Sequence, residues 1–226
     1  MISEITRISS PQEDSHIGTL LFKTSAEHPL MQKIAAIENG SVLDLGCRFP
    51  ALFFPLYHRF NFKEFWGVDL EIESEALEKF IGNNPKLKEA APKDFYELYR
   101  LIYKQVGAAH QPIISDRDLF YETFGEHLHL GTDIRDFFEE YPDKKFDFVG
   151  MVNLLHVLPD YEAMLQCLSR AEALLKPNGI FYMRVYNGHH YDIRELMEHI
   201  THRYESGSLS YFEQDGVLQY FKFLMW

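Results

Sequence analysis

The segment Ser41-Val-Leu-Asp-Leu-Gly-Cys-Arg-Phe-Pro50 constrains the fold more than any other part of the chain. Val42–Leu45 is a short apolar run interrupted by one acid, Asp44, and it predicts a buried strand that Gly46 ends with a turn. Glycine has no side chain to hold a ligand away from the backbone. In α/β proteins such a turn is where a nucleotide-like ligand approaches. The segment therefore predicts a nucleotide-binding α/β fold.

Strand and helix patterns alternate along the rest of the chain. The predicted strands are 42–45, 65–70, 128–130, 146–152 and 179–185, followed by 208–213 and 217–224, which are joined at a hairpin turn over 214–216. The predicted helices are 28–38, closed by Asn39-Gly40, then 53–60, 73–81, 160–175, followed by a turn at Pro177-Asn-Gly179, and 192–203. Alternation of this kind predicts a Rossmann-like doubly wound, mostly parallel sheet in three α/β/α layers, with a C-terminal antiparallel hairpin.

At 226 residues the chain is long enough for a single domain, which we predict to cover residues 1–226 with a polar N-terminal segment, 1–27. Residues 86–126 interrupt the alternation and are rich in aromatic side chains. An ordered helical insertion fits this composition better than a disordered loop. Its aromatic residues could form a lid over a substrate pocket, or they could pack on the sheet or on a second subunit.

Charge and cysteine content narrow the functional classes. The net charge of −12 argues against DNA or RNA as the main partner, because phosphate binding needs clustered lysine and arginine. Cys47 and Cys167 are too few for a disulfide framework, which favours a reducing compartment. The sequence also has no apolar run of membrane-spanning length and no signal peptide. We expect a cytoplasmic protein that does not bind a membrane.

Three acids follow the predicted strands: Asp44, Asp69 and Asp133. The carboxyl ends of parallel strands meet at one edge of a sheet, which is where open α/β sheets bind their ligands. An acid at the end of the second strand can accept both hydroxyl hydrogens of a ribose. A strand-end aspartate alone is more often a turn or cap residue, but three in register with the strands favour a nucleoside site.

Five motifs identify a family. They are Val-Leu-Asp-Leu-Gly-Cys (42–47), Phe-Trp-Gly-Val-Asp-Leu (65–70), Gly-Thr-Asp-Ile (131–134), Phe-Asp-Phe-Val…Asn-Leu-Leu-His-Val-Leu-Pro-Asp (146–160) and Ala-Leu-Leu-Lys-Pro-Asn-Gly-Ile-Phe (173–181). A chain with these motifs resembles the class I S-adenosylmethionine-dependent methyltransferases. The resemblance covers roughly residues 30–226, apart from the insertion at 86–126.

The resemblance implies S-adenosyl-L-methionine as the cofactor. Asp44, Gly46 and the segment after the fourth strand would hold its methionine end, Asp69 would bind the ribose hydroxyls, and Asp133 with Ile134 would flank the adenine. The cofactor-binding residues implied in this way are Asp44, Gly46, Cys47, Arg48, Asp69, Leu70, Asp133, Ile134 and Asn153.

The first loop departs from the family pattern. The family commonly has glycine at the second and fourth positions after Gly46, where this chain has Arg48 and Pro50. The Arg48 guanidinium could pair with the cofactor's carboxylate, a bidentate contact that suits arginine. Alternatively it could point to solvent or pair with a nearby acid, leaving the pocket narrowed or closed. Pro50 is compatible with the start of the next segment.

Methyl transfer needs an aligned nucleophile and, for many acceptors, a base. The candidate bases are His156 after the fourth strand and His189 after the fifth, together with His190 and Tyr186, because histidine titrates near neutral pH. A partly buried hydrogen-bonding role is the alternative for His156. The pairs His127-x-His129 and His199-x-x-His202 have no evident third ligand, so we predict no metal site.

The sequence favours a methyltransferase that acts on a small-molecule acceptor. The main alternative is a catalytically inactive binding or scaffold protein on the same fold, working through a protein partner. A nicotinamide dinucleotide enzyme is disfavoured, because Gly46-Cys-Arg-Phe-Pro-Ala lacks the G-x-G-x-x-G spacing. The edge of the terminal strand could pair with the same strand of a second copy, so the sequence also allows a homodimer.

Overall fold

The computed structural model describes residues 29–50, 52–82, 85–106, 113–152, 154–186, 208–214 and 217–223. Contacts between Cα atoms divide the chain into two compact units, one of residues 14–137 and one that contains residues 138–226. The prediction that the chain forms one domain stays a prediction. In the described part of the chain, no helix is both long and apolar enough to cross a membrane.

The first unit is built on three parallel strands, β1 (Glu38–Leu45), β2 (Asn61–Asp69) and β3 (His127–Leu130). β2 lies in the middle and pairs with β1 on one side and with β3 on the other. The helices are α1 (Pro29–Ala35), α2 (Phe53–Arg59), α3 (Glu73–Gly82), α4 (Pro85–Ala90), α5 (Phe95–Val106), α6 (Arg117–Phe124) and α7 (Ile134–Glu140), the last of which spans the boundary between the units.

The burial of their side chains explains why the sequences of β1 and β2 contain runs of apolar residues. Val42, Leu43 and Leu45 of β1 are completely buried. In β2, Phe62 is also completely buried and Val68 is 1% exposed. Parallel strands covered on both faces need apolar residues at successive positions rather than at alternate ones. The short predicted strand at 42–45 was thus the most buried part of a longer strand.

Asn39 and Gly40 correct one prediction. They do not close a helix; α1 ends at Ala35, and both residues belong to β1. Asn39 has a φ of +51°, and the pairing with β2 shifts register on both sides of Gly40. A β-carbon on Gly40 would lie 2.6 Å from Ile37 Cγ2, so the glycine is required by close packing in a β-bulge.

The aromatic insertion is helical and contributes to the core of the first unit. Its aromatic side chains pack against α2: Tyr99 lies 4.8 Å from Phe54 between ring centroids, and Phe124 lies 5.4 Å from Phe54. The buried aromatic residues of the segment are Phe95, Tyr96, Tyr99, Phe120 and Phe124. These five side chains therefore pack in the interior of the first unit, and a lid over a substrate pocket stays a prediction for the segment.

The second unit contains β4 (Phe146–Val152), a 3-10 helix (Leu155–Val157), α8 (Tyr161–Ala173) and β5 (Leu175–Tyr186), then β6 (Ser208–Gln214) and β7 (Val217–Phe223). β4 and β5 are parallel, whereas β7 is antiparallel to both β5 and β6. Asp160 caps α8, since its side chain accepts the backbone N–H of Ala163 at 2.8 Å.

One further prediction is corrected, and one helix was missed. Residues 177–179 are not a turn before β5 but lie within it, although the pairing with β4 skips from Leu175 to Ile180 and Asn178 has a φ of +61°. α7 was not predicted at all. The predicted helix at 192–203, the N-terminal segment and the tip of the hairpin lie outside the described residues.

Candidate functional site

Three loops leave the carboxyl ends of β1, β2 and β3 at one edge of the first unit. The first begins at Gly46, whose φ is +71°. The backbone N–H groups of Gly46 and Cys47 both donate to the carbonyl oxygen of Val68, at 2.8 and 3.1 Å. The first loop is therefore held directly against the end of β2, as a ligand site shared by two strands requires.

Asp44 lies at the base of this edge, and its side chain is incompletely satisfied. The residue is only 4% exposed, and its Oδ1 atom has no hydrogen-bond partner in the described part of the chain. Burial, followed by the nearby charge of Asp69, raises the pKa of the Asp44 carboxyl well above its ordinary value. A buried acid without a donor is costly, and a bound cation or donor would relieve that cost.

Asp69 connects all three loops. Its Oδ2 accepts the backbone N–H of Arg48 at 2.8 Å, and its Oδ1 accepts that of Glu71 at 2.9 Å. Its backbone carbonyl also accepts the N–H of Thr132 in the third loop at 3.0 Å. The predicted ribose acid is thus a structural anchor of the edge. Each carboxylate oxygen still has a further lone pair for a ligand hydroxyl.

Arg48 occupies a conformation that suits glycine, with a φ of +43°. Its Nε lies 3.4 Å from Glu71 Oε2, and the other oxygen of Glu71 accepts a hydrogen bond from Lys79 Nζ at 2.6 Å. Pairing with a nearby acid is one of the contacts that the sequence offered for Arg48, and the structure shows it. Pairing with the cofactor's carboxylate stays a prediction. Glu71 and Lys79 were missed, because a contact across 23 positions leaves no local pattern.

Phe49 anchors the first loop in the core. It is 4% exposed, and its ring lies 5.2 Å from the rings of Phe54 and Phe80 and 5.3 Å from that of Phe95, measured between centroids. Pro50 is buried beside it. The two residues after Arg48 therefore belong to the packing of α2, α3 and α5, which restricts where the loop's backbone can go.

The third loop carries Asp133, which is engaged by Arg135. The Arg135 Nε and Nη2 atoms lie 3.0 and 2.6 Å from the two carboxylate oxygens, and the Arg135 backbone N–H also donates to Oδ1 at 2.9 Å. These hydrogen bonds hold the pKa of Asp133 at about 2. Gly131 turns the chain with a φ of +73° and donates its N–H to the Glu71 carbonyl at 3.3 Å.

Two large apolar side chains are exposed at the same edge. Leu70 is 70% exposed and Ile72 is 50% exposed, whereas the side chain of Glu71 between them is 16% exposed. A β-carbon on Gly131 would lie 3.2 Å from Ile72 Cγ2, so Ile72 reaches the third loop. Exposed apolar groups beside convergent polar atoms are typical of a ligand site.

The structure brings together the predicted site residues that belong to the first unit. Asp44, Gly46, Cys47, Arg48, Asp69 and Leu70 share the edge of β1 and β2, and Asp133 and Ile134 follow β3 beside them. Burial, together with the charges of Asp44 and Asp69, raises the pKa of the Cys47 thiol. Asn153 and His189 lie outside the described residues, and His156 is placed only as part of the 3-10 helix in the other unit.

The histidine pair on β3 packs on an aromatic ring. His127 and His129 stack on Trp66, with centroid distances of 4.1 and 5.5 Å. Among the residues that the structure describes, no three side chains of histidine, cysteine, aspartate or glutamate come together as a metal site. His199 and His202 are outside those residues.

Comparison with known proteins identifies the family. A family model described as a methyltransferase domain matches residues 22–222. The chain belongs to the methyltransferase-domain family. This agrees with the class I S-adenosylmethionine-dependent superfamily that the sequence motifs predicted. A comparison with curated protein sequences finds no match.

Two solved structures of this superfamily's fold are similar to the chain. An O-methyltransferase family protein from Burkholderia thailandensis has a TM-score of 0.50 at 10% identity, covering 92% of this chain and 55% of its own. A putative RNA methyltransferase from Pyrococcus horikoshii has a TM-score of 0.51 at 14% identity, covering 100% of this chain and 96% of its own. This chain thus spans about half the length of the first. The likeness shows the predicted Rossmann-like α/β fold.

Proposed function

We propose that this chain is an S-adenosyl-L-methionine-dependent methyltransferase that acts on a small-molecule acceptor. The observation that carries the proposal is the buried Asp44 carboxyl at the end of β1, whose Oδ1 has no partner in the described part of the chain. Family membership supports the same activity. An unsatisfied acid beside the first loop suits a ligand that carries positive charge.

The residues at the edge fit the chemistry of this cofactor. Asp44 would face one of its cationic groups, and the remaining lone pairs of Asp69 would accept hydroxyl hydrogens from the ribose. The exposed Leu70 and Ile72 offer an apolar surface for a flat base, next to Asp133 and Ile134. Asp44, Asp69, Asp133 and Ile134 keep the roles that the family resemblance implied. The apolar surface of Leu70 and Ile72 is added to them from the structure.

When bound, the cofactor supplies an electrophilic methyl group on a sulfonium. The chain would position the cofactor by binding it at Asp44 and Asp69. It would also supply a base for acceptors that must lose a proton. His156 and His189 remain the proposed bases, since histidine titrates near neutral pH. The net charge of −12 supports a small molecule rather than a nucleic acid as acceptor.

An inactive binding protein is the second candidate, and a specific observation favours it. Arg48 stands where the family commonly has glycine, pairs with Glu71, and donates its N–H to the carboxylate proposed for the ribose. These contacts would narrow the ribose site. In this case the fold would serve a protein partner and would not bind the cofactor.

Isothermal titration with S-adenosyl-L-methionine and its demethylated product tests the proposal. We expect saturable binding of both to the full chain, and its loss in Asp44→Asn, with Glu162→Gln on the exposed surface of α8 as the control. Saturable binding that survives in Asp44→Asn would contradict the role of Asp44. Absence of binding at millimolar ligand in both the natural chain and Arg48→Gly would end the enzyme proposal. Binding by Arg48→Gly alone would favour the inactive candidate.

A further inference from the structure

We infer that the Arg48–Glu71 ion pair is a gate at Asp69, and that the nucleoside part of the ligand binds only after these two side chains separate. The inference rests on the proposed function, since it takes Asp69 to be the acceptor of ribose hydroxyls. It adds a control on ligand entry, with Glu71 and Lys79 as the residues that set it.

The contacts of Asp69 with its neighbours form a closed ring. The backbone N–H groups of Arg48 and Glu71 donate to the two oxygens of the Asp69 carboxylate, at 2.8 and 2.9 Å. The side chains of the same two residues then approach each other, with Arg48 Nε 3.4 Å from Glu71 Oε2. Asp69 is therefore bounded on both sides by residues whose side chains pair across the edge.

The Arg48–Glu71 pair is weak enough to open. Glu71 Oε2 makes no hydrogen bond in the described part of the chain, so its contact with Arg48 is purely electrostatic. The Arg48 side chain is 50% exposed, and water can therefore solvate the guanidinium once it leaves. Glu71 keeps its hydrogen bond from Lys79 at 2.6 Å, so it is not left as an isolated buried charge.

Only the side chain of Arg48 has to move. Its backbone is held by the N–H bond to Asp69, by the two bonds from Gly46 and Cys47 to Val68, and by the buried ring of Phe49. Opening the gate consequently leaves the first loop in place. The two backbone donors on Asp69 also stay, and the second lone pair of each oxygen remains for a ligand hydroxyl that enters once the side chains have separated.

Lys79 modulates the gate because it shares Glu71 with Arg48. Both cations lie within 3.4 Å of the same carboxylate, one at each oxygen. If Lys79 is removed, the carboxylate interacts more strongly with Arg48, and the gate closes more tightly. If Glu71 is neutralised, Arg48 is released. Neutralising Glu71 should therefore raise ligand affinity, whereas neutralising Lys79, 8 positions further along the chain, should lower it.

The test is titration with the demethylated cofactor product, S-adenosylhomocysteine, in low and high KCl. We expect Glu71→Gln and Arg48→Gly to bind it about two- to fivefold more tightly than the natural chain in low salt, the range of a weak ion pair in contact with solvent. Lys79→Gln should bind it more weakly by a similar factor. High salt should tighten binding to the natural chain and have little effect on Glu71→Gln, since screening weakens only an intact pair.

Lys176→Gln is the matched control, because Lys176 pairs with Asp147 at 2.8 Å in the other unit, and it should leave affinity unchanged. Suppose that the product binds while Glu71→Gln and Lys79→Gln shift affinity in the same direction, or while salt has no effect on the natural chain. Either outcome contradicts the gate and leaves the proposed function standing. If no variant binds the product, both are overturned. A merely structural role of Glu71 would not produce the opposite response of Lys79→Gln.

Discussion

Arg48 donates its backbone N–H to Asp69 Oδ2 at 2.8 Å while its φ is +43°. A residue with a β-carbon disfavours this left-handed conformation by about 1–2 kcal/mol. A hydrogen bond to a charged group contributes about 1.5–3 kcal/mol, enough to offset that strain. The bond therefore explains how a non-glycine residue is tolerated at the tightest point of the first loop.

The left-handed conformation of Arg48 predicts that a glycine variant is more stable than an alanine variant at this position. Arg48→Gly should be more stable than Arg48→Ala by about 1 kcal/mol, because both lose the ion pair but only alanine retains the left-handed strain. Urea denaturation of the two variants measures this difference directly. A more stable alanine variant would show that the backbone at this position is not left-handed.

Asp69→Asn should lower the free energy of unfolding by about 1–3 kcal/mol. An amide can accept only one of the two backbone N–H groups from Arg48 and Glu71, since its other atom is itself a donor. Glu162→Gln, whose exposed carboxylate contacts Gln166 at 3.1 Å on α8, is the control and should change stability by less than about 0.5 kcal/mol. Chemical denaturation at pH 7 compares them, and equal stabilities would contradict the anchoring role of Asp69.

Asp44→Asn should stabilise the protein at neutral pH while it removes ligand binding. Burial raises the pKa of Asp44, so the folded state binds more protons than the unfolded state above the ordinary pKa of an aspartate. Stability is therefore lost as the pH rises through that range, and a neutral amide avoids the loss. The gain should be larger at pH 7 than at pH 4 in denaturation experiments. A gain that does not depend on pH would contradict this account.

His58 should make the protein sensitive to acid. It is 1% exposed, its Nε2 lies 2.7 Å from the hydroxyl of Tyr99, and burial lowers its pKa to about 4. The unfolded chain, with a pKa of about 6.5, binds more protons, so stability present at neutral pH is lost as the pH falls from 6.5 towards 4. We expect a loss of about 2 kcal/mol between pH 7 and pH 5.

The matched variant for this acid sensitivity is His58→Gln, which can still bond to Tyr99 but does not titrate. Its free energy of unfolding should vary less than that of the natural chain over the same pH interval. Parallel pH dependences of the two proteins would place the titrating group elsewhere.

Local patterns were sufficient for the elements whose signals are local. The apolar run at 42–45, the cap at Asp160 and the helix that begins at Glu73 could all be recognised from neighbouring residues. The strand around Asn39 and Gly40 could not, because a dipeptide typical of turns was overridden by pairing with β2 and by packing against Phe62. Tertiary context decided that segment, as it often does for short polar sequences.

The candidate site shows the same division. The three predicted acids do follow neighbouring strands, because a parallel sheet places the carboxyl ends of its strands together. Their actual partners were not predictable: Asp69 binds two backbone groups, and Asp133 binds Arg135. Loop conformation determines such contacts, and it depends on packing such as that of Phe49 between α2, α3 and α5.

The burial of Phe49 also bears on how the first loop fluctuates. A loop at a ligand site usually exchanges its amide hydrogens with solvent through small local openings. Here the amides of Gly46, Cys47 and Arg48 are bonded to β2, and the next residue is enclosed by aromatic rings. We expect the first loop to open only when the aromatic core around Phe49 unfolds together with it. These amides should therefore exchange with deuterium almost as slowly as those of β1.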